Sequence, residues 1–175
     1  MLKNITLIVV VLIAAVLIFA GTRPDVFRVE RSVDIKASPE KVFALINDLH
    51  SWTTWSPYEK KDPNMKRQHS GAASGKGAIY EWDGDKQVGK GRMEITESSP
   101  SSRVVIKLDF LSPFEAHNTA EFILQAQGDG THVTWAMYGP SNFVAKLMGI
   151  FFSMDKMVGD DFAIGLANLK AIAEK

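Results

Sequence analysis

The side chains that could carry acid–base chemistry in this chain are few. Two adjacent carboxylates stand at Asp160 and Asp161, and the other candidates are Arg31, Tyr58 and His117. Neighbouring side chains on a helix point about 100° apart, so Asp160 and Asp161 cannot share one task. Asp161 adjoins Phe162 on an apolar stripe, whereas Asp160 faces outward. A partly buried carboxylate must find a donor or a cation, or else take up a proton. Two readings of Asp161 stay open: a structural tie, for example to Trp55 or Arg31, or a polar anchor or general acid/base at a cavity wall. Arg31 sits at the inward parity of an alternating strand. It is either a snorkelling or edge-paired cation or one that lines a cavity.

Other chemistries have no support. His50, His69, His117 and His132 are far apart and lack ligand spacing with carboxylates, so no metal site is expected. The chain has no cysteine, which removes disulfides, thiolate ligands and cysteine nucleophiles. Gly75-Lys76-Gly77 and Gly89-Lys90-Gly91 lack the following helix of a phosphate loop and read as bulge or strand-edge glycines. No cofactor is implied. Lys plus Arg (20) balance Asp plus Glu (20), with no basic run, so nucleic acid is not an expected partner.

The elements that must position these groups follow from the apolar pattern. Residues 1–21 read as a hydrophobic membrane anchor or an uncleaved signal. Ile5 to Ala20 is apolar except for Thr6 and spans roughly 24 Å as a helix, extendable by Leu2 and Gly21. A cleaved signal would have a rather long apolar region and bulky Ile18 at the outer position of its best small-residue site. Residues 2–21 are thus the expected membrane contact, giving a single-pass protein. Lys3 and the amine oppose Arg23, Arg28 and Arg31 across the segment, leaving both orientations open. Residues 22–26 form a linker and 27–175 a single domain.

Phe27 to Lys36 alternates as a half-buried strand. Ser38-Pro39-Glu40 starts a short helix, with a cap, a proline pre-set for the first position and an acid at the positive end. Trp52 to Tyr58 is an aromatic segment, either a pocket wall or a loop packed on the core, and Lys60 to Asn64 is a turn. Six strands follow, at 65–70, 77–82, 88–97, 103–111, 117–126 and 131–138. From Asn142 to Lys175 the pattern is helical, with a stripe at Met154, Met157/Val158, Phe162, Leu166, Leu169 and Ala173. One straight helix would be roughly 50 Å long, too long for a domain about 40 Å across, so a break is predicted between Gly149 and Asp155. Phe143 to Phe152 is apolar nearly all round and must be buried or touch something apolar, as a moving or membrane-facing cover.

The segments RSVDIKASPEKVFALINDLHSWTTWSP, GKGAIYEWDGDKQVGKGRMEI, GDGTHVTWAMYGP and MVGDDFAIGLANLK together resemble the START-like SRPBCC superfamily, polyketide cyclase/dehydrase-type branch. The resemblance covers Val29 to Lys170. It implies an α+β helix-grip fold: a seven-stranded curved antiparallel sheet wrapped on a long C-terminal helix, with a deep cavity for apolar ligands between them. The amino-terminal transmembrane helix is an addition to that domain. On this basis the expected function is a membrane-tethered binding module for a lipid or other hydrophobic small molecule. The expected cavity lining is Trp55, Tyr58, Tyr80, Trp82, Phe110, Phe114, Trp135, Met154, Met157 and Asp161. One alternative is a cyclase, dehydratase or hydrolase using Asp161 with Arg31, His117 or Tyr58. The other is a structural or stress-related membrane-surface protein without a ligand.

Overall fold

The computed structural model describes residues 2–175. Met1 and the side chains of Leu2 and Lys3, including the positive charge read at Lys3, lie outside the described residues. The apolar run forms α1 (Leu2–Gly21), a helix long and apolar enough to cross a membrane by length and composition.

The domain begins with β1 (Val26–Ile35) and α2 (Pro39–Asn47). Ser38 caps α2 by accepting from the Lys41 N–H, with Pro39 at the first position and Glu40 in the first turn. Two short helices follow, α3 (Trp52–Trp55) and α4 (Pro57–Lys61), where the sequence suggested an aromatic loop and a turn. The spacing of Trp52 and Trp55 explains α3. Three residues apart, both indoles reach back to the end of α2, donating to the Ile46 carbonyl at 2.9 Å and the Leu45 carbonyl at 3.2 Å. Carbonyls in a helix's last turn have no intrahelical partner, and these indoles supply one.

The remaining strands are β2 (Lys66–Gly71), β3 (Ala78–Asp83), β4 (Lys90–Ser99), β5 (Arg103–Ser112), β6 (Ala116–Gln127) and β7 (Gly130–Pro140). All pairs are antiparallel in one curved seven-stranded sheet of order β1-β7-β6-β5-β4-β3-β2. The register of β4 against β5 shifts between Lys90 and Gly91 and between Ile95 and Glu97. At Gly91 a Cβ would fall 2.3 Å from the Trp82 ring, so glycine lets that indole lie across the strand.

The chain ends in α5 (Phe143–Phe151) and α6 (Met154–Ala173), and the predicted break is present. Asn142 caps α5 and Ser153 caps α6, each accepting from the N–H three residues on. Helix α6 crosses the concave face beside β1. Asp155 in its first turn meets Arg31, and Glu174 at its end accepts from the Lys36 N–H at 2.7 Å. Phe162, Leu166, Leu169 and Ala173 are buried. Each large side chain among them stabilises the fold by about 1.5–3 kcal/mol. The buried stripe starts later than its sequence pattern: Met154 and Met157 are 47% and 64% exposed. In this first turn the contact with β1 is made by Asp155 through Arg31, and the two methionines remain exposed.

Candidate functional site

The concave face carries most of the aromatic residues singled out in the sequence, but its deep part is filled. Trp135 stacks on Phe162 with centroids 4.0 Å apart and on Phe122 at 5.0 Å. The rings of Trp52 and Trp55 meet it edge-on at 6.1 and 5.6 Å. Helix α6 can approach this stack because Gly165 has no side chain, and a Cβ there would lie 2.7 Å from the Trp135 ring and 3.0 Å from Pro57. The deep cavity implied by the resemblance is therefore occupied by side chains around Trp135. Two surface depressions lie elsewhere. One, of about 570 Å³, is bordered by Phe43, Asn47, His50 and Ser74; the other, of about 210 Å³, by Asp34, Gln127 and Lys170. One polar atom in the filled part has no partner: the indole Nε1 of Trp135 is buried without an acceptor.

The other half of the concave wall is built by β3, β4 and β5. Tyr80 and Trp82 stack at 6.2 Å, and Trp82 meets Phe110 edge-on at 5.9 Å. Tyr80 and Trp82 are buried, and Phe110 is half-buried at the end of β5. Against this wall sits a carboxylate that the sequence reading missed. Glu59, from α4, is 9% exposed, accepts from the Tyr80 hydroxyl at 2.7 Å and from Arg67 Nε at 2.6 Å. Arg67 also donates to the Met65 carbonyl at 2.6 Å. Burial first, and then the hydrogen bond to Glu59, push the Tyr80 hydroxyl well above its ordinary pKa, so it keeps its proton and donates. A signal for Glu59 was present: Ser56-Pro57 repeats the Ser38-Pro39 helix start, and the helix it begins turns Glu59 inward.

Asp161 is held elsewhere than expected. It pairs with Lys61 Nζ at 2.6 Å and lies beside Tyr58, rather than tying to Trp55 or Arg31. Burial, reinforced by the charge of Asp161 and a hydrogen bond to it, raises the Tyr58 pKa strongly. The indole of Trp55 is committed to α2, and its carbonyl accepts from Asn168 at 3.0 Å. Arg31 pairs in bidentate fashion with Asp155, at 2.9 and 3.0 Å. It crosses α6 at Gly159, where a Cβ would lie 2.0 Å from the guanidinium.

His117 belongs to the opposite, convex face. There its Nδ1 meets Asp109 at 2.7 Å, and the hydrogen bond to Asp109 raises its pKa. Of the five acid–base candidates the fold brings Tyr58 and Asp161 together, with Lys61 added, and leaves Arg31 with Asp155 and His117 with Asp109. Phe114 lies in the β5–β6 turn, 83% exposed, and like Met154 and Met157 it stands apart from the concave wall. Among the described residues no group of three or more potential ligands is arranged to hold a metal ion.

Comparison with known proteins places this geometry. The polyketide cyclase/dehydrase and lipid transport family matches residues 26–174. No curated protein matches the sequence. Among solved structures, a protein of Chromobacterium violaceum superposes with TM-score 0.59 at 16% identity, covering 87% of this chain and 99% of that one. The Aha1 dimer from Colwellia psychrerythraea gives 0.57 at 19% identity, covering 85% and 96%. The di-domain ARO/CYC StfQ from the steffimycin biosynthetic pathway gives 0.60 at 11% identity, covering 85% of this chain and 51% of its own. At these identities the structures share the fold alone. From β1 to the end of α6, then, the chain belongs to the polyketide cyclase/dehydrase and lipid transport family.

Proposed function

We propose that this protein is a membrane-tethered binding module for a lipid or other hydrophobic small molecule, held against the concave wall under α4 and α6. The observation that carries the reading is the Trp135 indole N–H, buried among aromatic rings without an acceptor. A buried donor left unpaired costs about 1–3 kcal/mol, and native proteins keep few of them. An acceptor oxygen on an otherwise apolar ligand would satisfy it, and the aromatic wall from Tyr80 to Phe110 would take the apolar remainder. The family's lipid-transport members and the apolar α1 agree with this reading. Because the rings around Trp135 are closely stacked, entry requires them or α4 to move aside.

Direct catalysis has less support. Tyr58 and Asp161 are the only acid–base candidates that meet, and a tyrosine with a raised pKa donates a hydrogen bond rather than removing a proton.

The test is photo-crosslinking of the full chain, reconstituted in phosphatidylcholine vesicles doped with a diazirine-bearing fatty acid or phospholipid. Adducts on Trp82, Phe110 or Trp135 are expected beside those on α1. Trp135→Phe, which keeps an aromatic ring but removes the donor, should weaken the interior labelling, with the relief of the unpaired donor offset by the cavity that the smaller ring leaves. Adducts confined to α1 refute the binding reading.

A further inference from the structure

Helix α5 is apolar but is not a core helix. None of its residues is buried, and Phe143, Val144, Met148 and Phe151 are 49–68% exposed, with Phe152 beyond its end at 57%. Its single charge is turned away: the Lys146 ammonium is bonded to Asp25 in the linker, and its side chain is only 10% exposed. The helix packs against α1. In α1 the shielded positions, Val16 and Ala20, lie one helical turn apart in its last two turns, next to the linker.

The register of the sheet shows which other residues share this end of the domain. Val26 faces Pro140, Tyr138 faces Thr119, and Ala116 faces Phe110. The linker after α1, the start of α5 and the β5–β6 turn are therefore neighbours at one end of the sheet. That end carries exposed Val26, Leu111 and Phe114. At the opposite end, the turns at 36–38, 72–77, 100–102 and 128–129 contain no large apolar residue. The asymmetry extends within the span-side end itself. Its β3–β4 turn, 84–89, carries exposed Asp85 and Lys86.

We propose that α5 and the β5–β6 turn form a second membrane contact, lying in the interfacial layer of the bilayer that α1 enters. This rests on the reading of α1 as a retained anchor. An apolar helix beside a span cannot stay in water when a lipid surface lies within reach, because exposed contiguous apolar surface of this kind is stabilised by burial. The contact fixes the tilt of the domain: the β1-β7-β6-β5 half of the span-side end faces lipid, and the β2–β3 half faces water. It also sets the half-buried Phe110 end of the concave wall toward the bilayer.

The natural absence of cysteine makes the test direct. Single cysteines are placed by Phe114→Cys, Phe151→Cys, Lys86→Cys and Asp129→Cys in the full chain, spin-labelled and reconstituted in phosphatidylcholine vesicles. Accessibility to oxygen is compared with accessibility to a water-soluble nickel chelate. The oxygen-to-nickel ratio should be several-fold higher at positions 114 and 151 than at 86 and 129. A high ratio at 151 alone overturns the proposed tilt, and four aqueous labels overturn the docked face. Dipolar broadening between copies at 151 overturns it in favour of a second copy of the chain. Failure of the protein to float with the vesicles refutes the anchor itself. None of these readouts depends on a ligand occupying the interior.

Discussion

Removing Glu59 should expose how much the missed carboxylate contributes. In Glu59→Ala two hydrogen bonds are lost, from the Tyr80 hydroxyl at 2.7 Å and from Arg67 Nε at 2.6 Å. The consequences for the two partners differ. Arg67 keeps the Met65 carbonyl at 2.6 Å and the more distant Pro63 and Asp62 carbonyls at 3.3 and 3.4 Å, so its charge is not left bare. Tyr80 is 5% exposed and keeps no acceptor, and its burial, the largest cause of its raised pKa, still opposes ionisation once Glu59 is gone.

An unsatisfied buried hydroxyl costs about 1–3 kcal/mol, and a lost charge-assisted bond adds about 1 kcal/mol when other acceptors remain. The expected total is about 2–4 kcal/mol, overlapping only the lower part of the roughly 3–5 kcal/mol range for breaking a fully enclosed ion pair. Tyr80→Phe, which removes the donor and leaves Glu59 with Arg67, should cost only about 1–2 kcal/mol. In the double variant the orphaned hydroxyl no longer exists, so its cost should fall short of the sum by about 1 kcal/mol.

The assay is urea unfolding of the full chain in non-ionic detergent, followed by tryptophan fluorescence. All four tryptophans lie in the domain, so α1 is silent. A Glu59→Ala cost below about 0.5 kcal/mol, or a strictly additive cycle, would refute the reasoning that this network fastens α4 to β2 and β3.

Two glycines of α6 should respond oppositely to the same change. At Gly159 an added methyl meets only the mobile end of Arg31, so Gly159→Ala should displace the Asp155 pair and be near neutral, since alanine returns about 1 kcal/mol of helix propensity. Gly165→Ala meets the fixed Trp135 ring and Pro57, and should cost about 1–3 kcal/mol in the same unfolding assay; equal effects would contradict the packing. His117 and His69 should titrate on opposite sides of the ordinary value of 6.5, as read by NMR. The hydrogen bond to Asp109 raises His117, so its contribution to stability is full below 6.5 and is lost as pH rises through its folded value. Burial, and then the charge of His50 stacked 4.0 Å away, lower His69, so stability falls as pH drops below 6.5 through its folded value. His117→Gln should remove the first dependence and His69→Gln the second; a His69 that titrates above 6.5 would overturn its placement.

Much of the architecture is local in origin and was legible in the sequence. Strand alternation is a two-residue property, and the Ser38 and Asn142 caps act over three residues, so β1, the meander, α2 and α5 could be read without tertiary information. The break before α6 followed from a length that no compact domain accommodates. Other features were misread because more than one local pattern fitted. Trp52 to Tyr58 reads as a loop by composition, yet becomes helical because two indoles find the open carbonyls of α2. Met154 and Met157 continue the apolar stripe, yet remain exposed, because the first-turn contact with β1 is made by Asp155 instead.

The amino-acid sequence by itself determined the seven strands, the capped helices, the apolar amino-terminal segment and the poverty of acid–base groups. Tertiary structure decided their partners: Asp161 with Lys61 and Tyr58, Arg31 with Asp155, His117 on the convex face, and Glu59 against Tyr80 and Arg67. The physical reason is range. Periodicity and capping act across a few residues and leave their mark in any short window. Which charges meet across about 100 positions is set by sheet register, by where a glycine lets α6 approach, and by which side chains already fill the core.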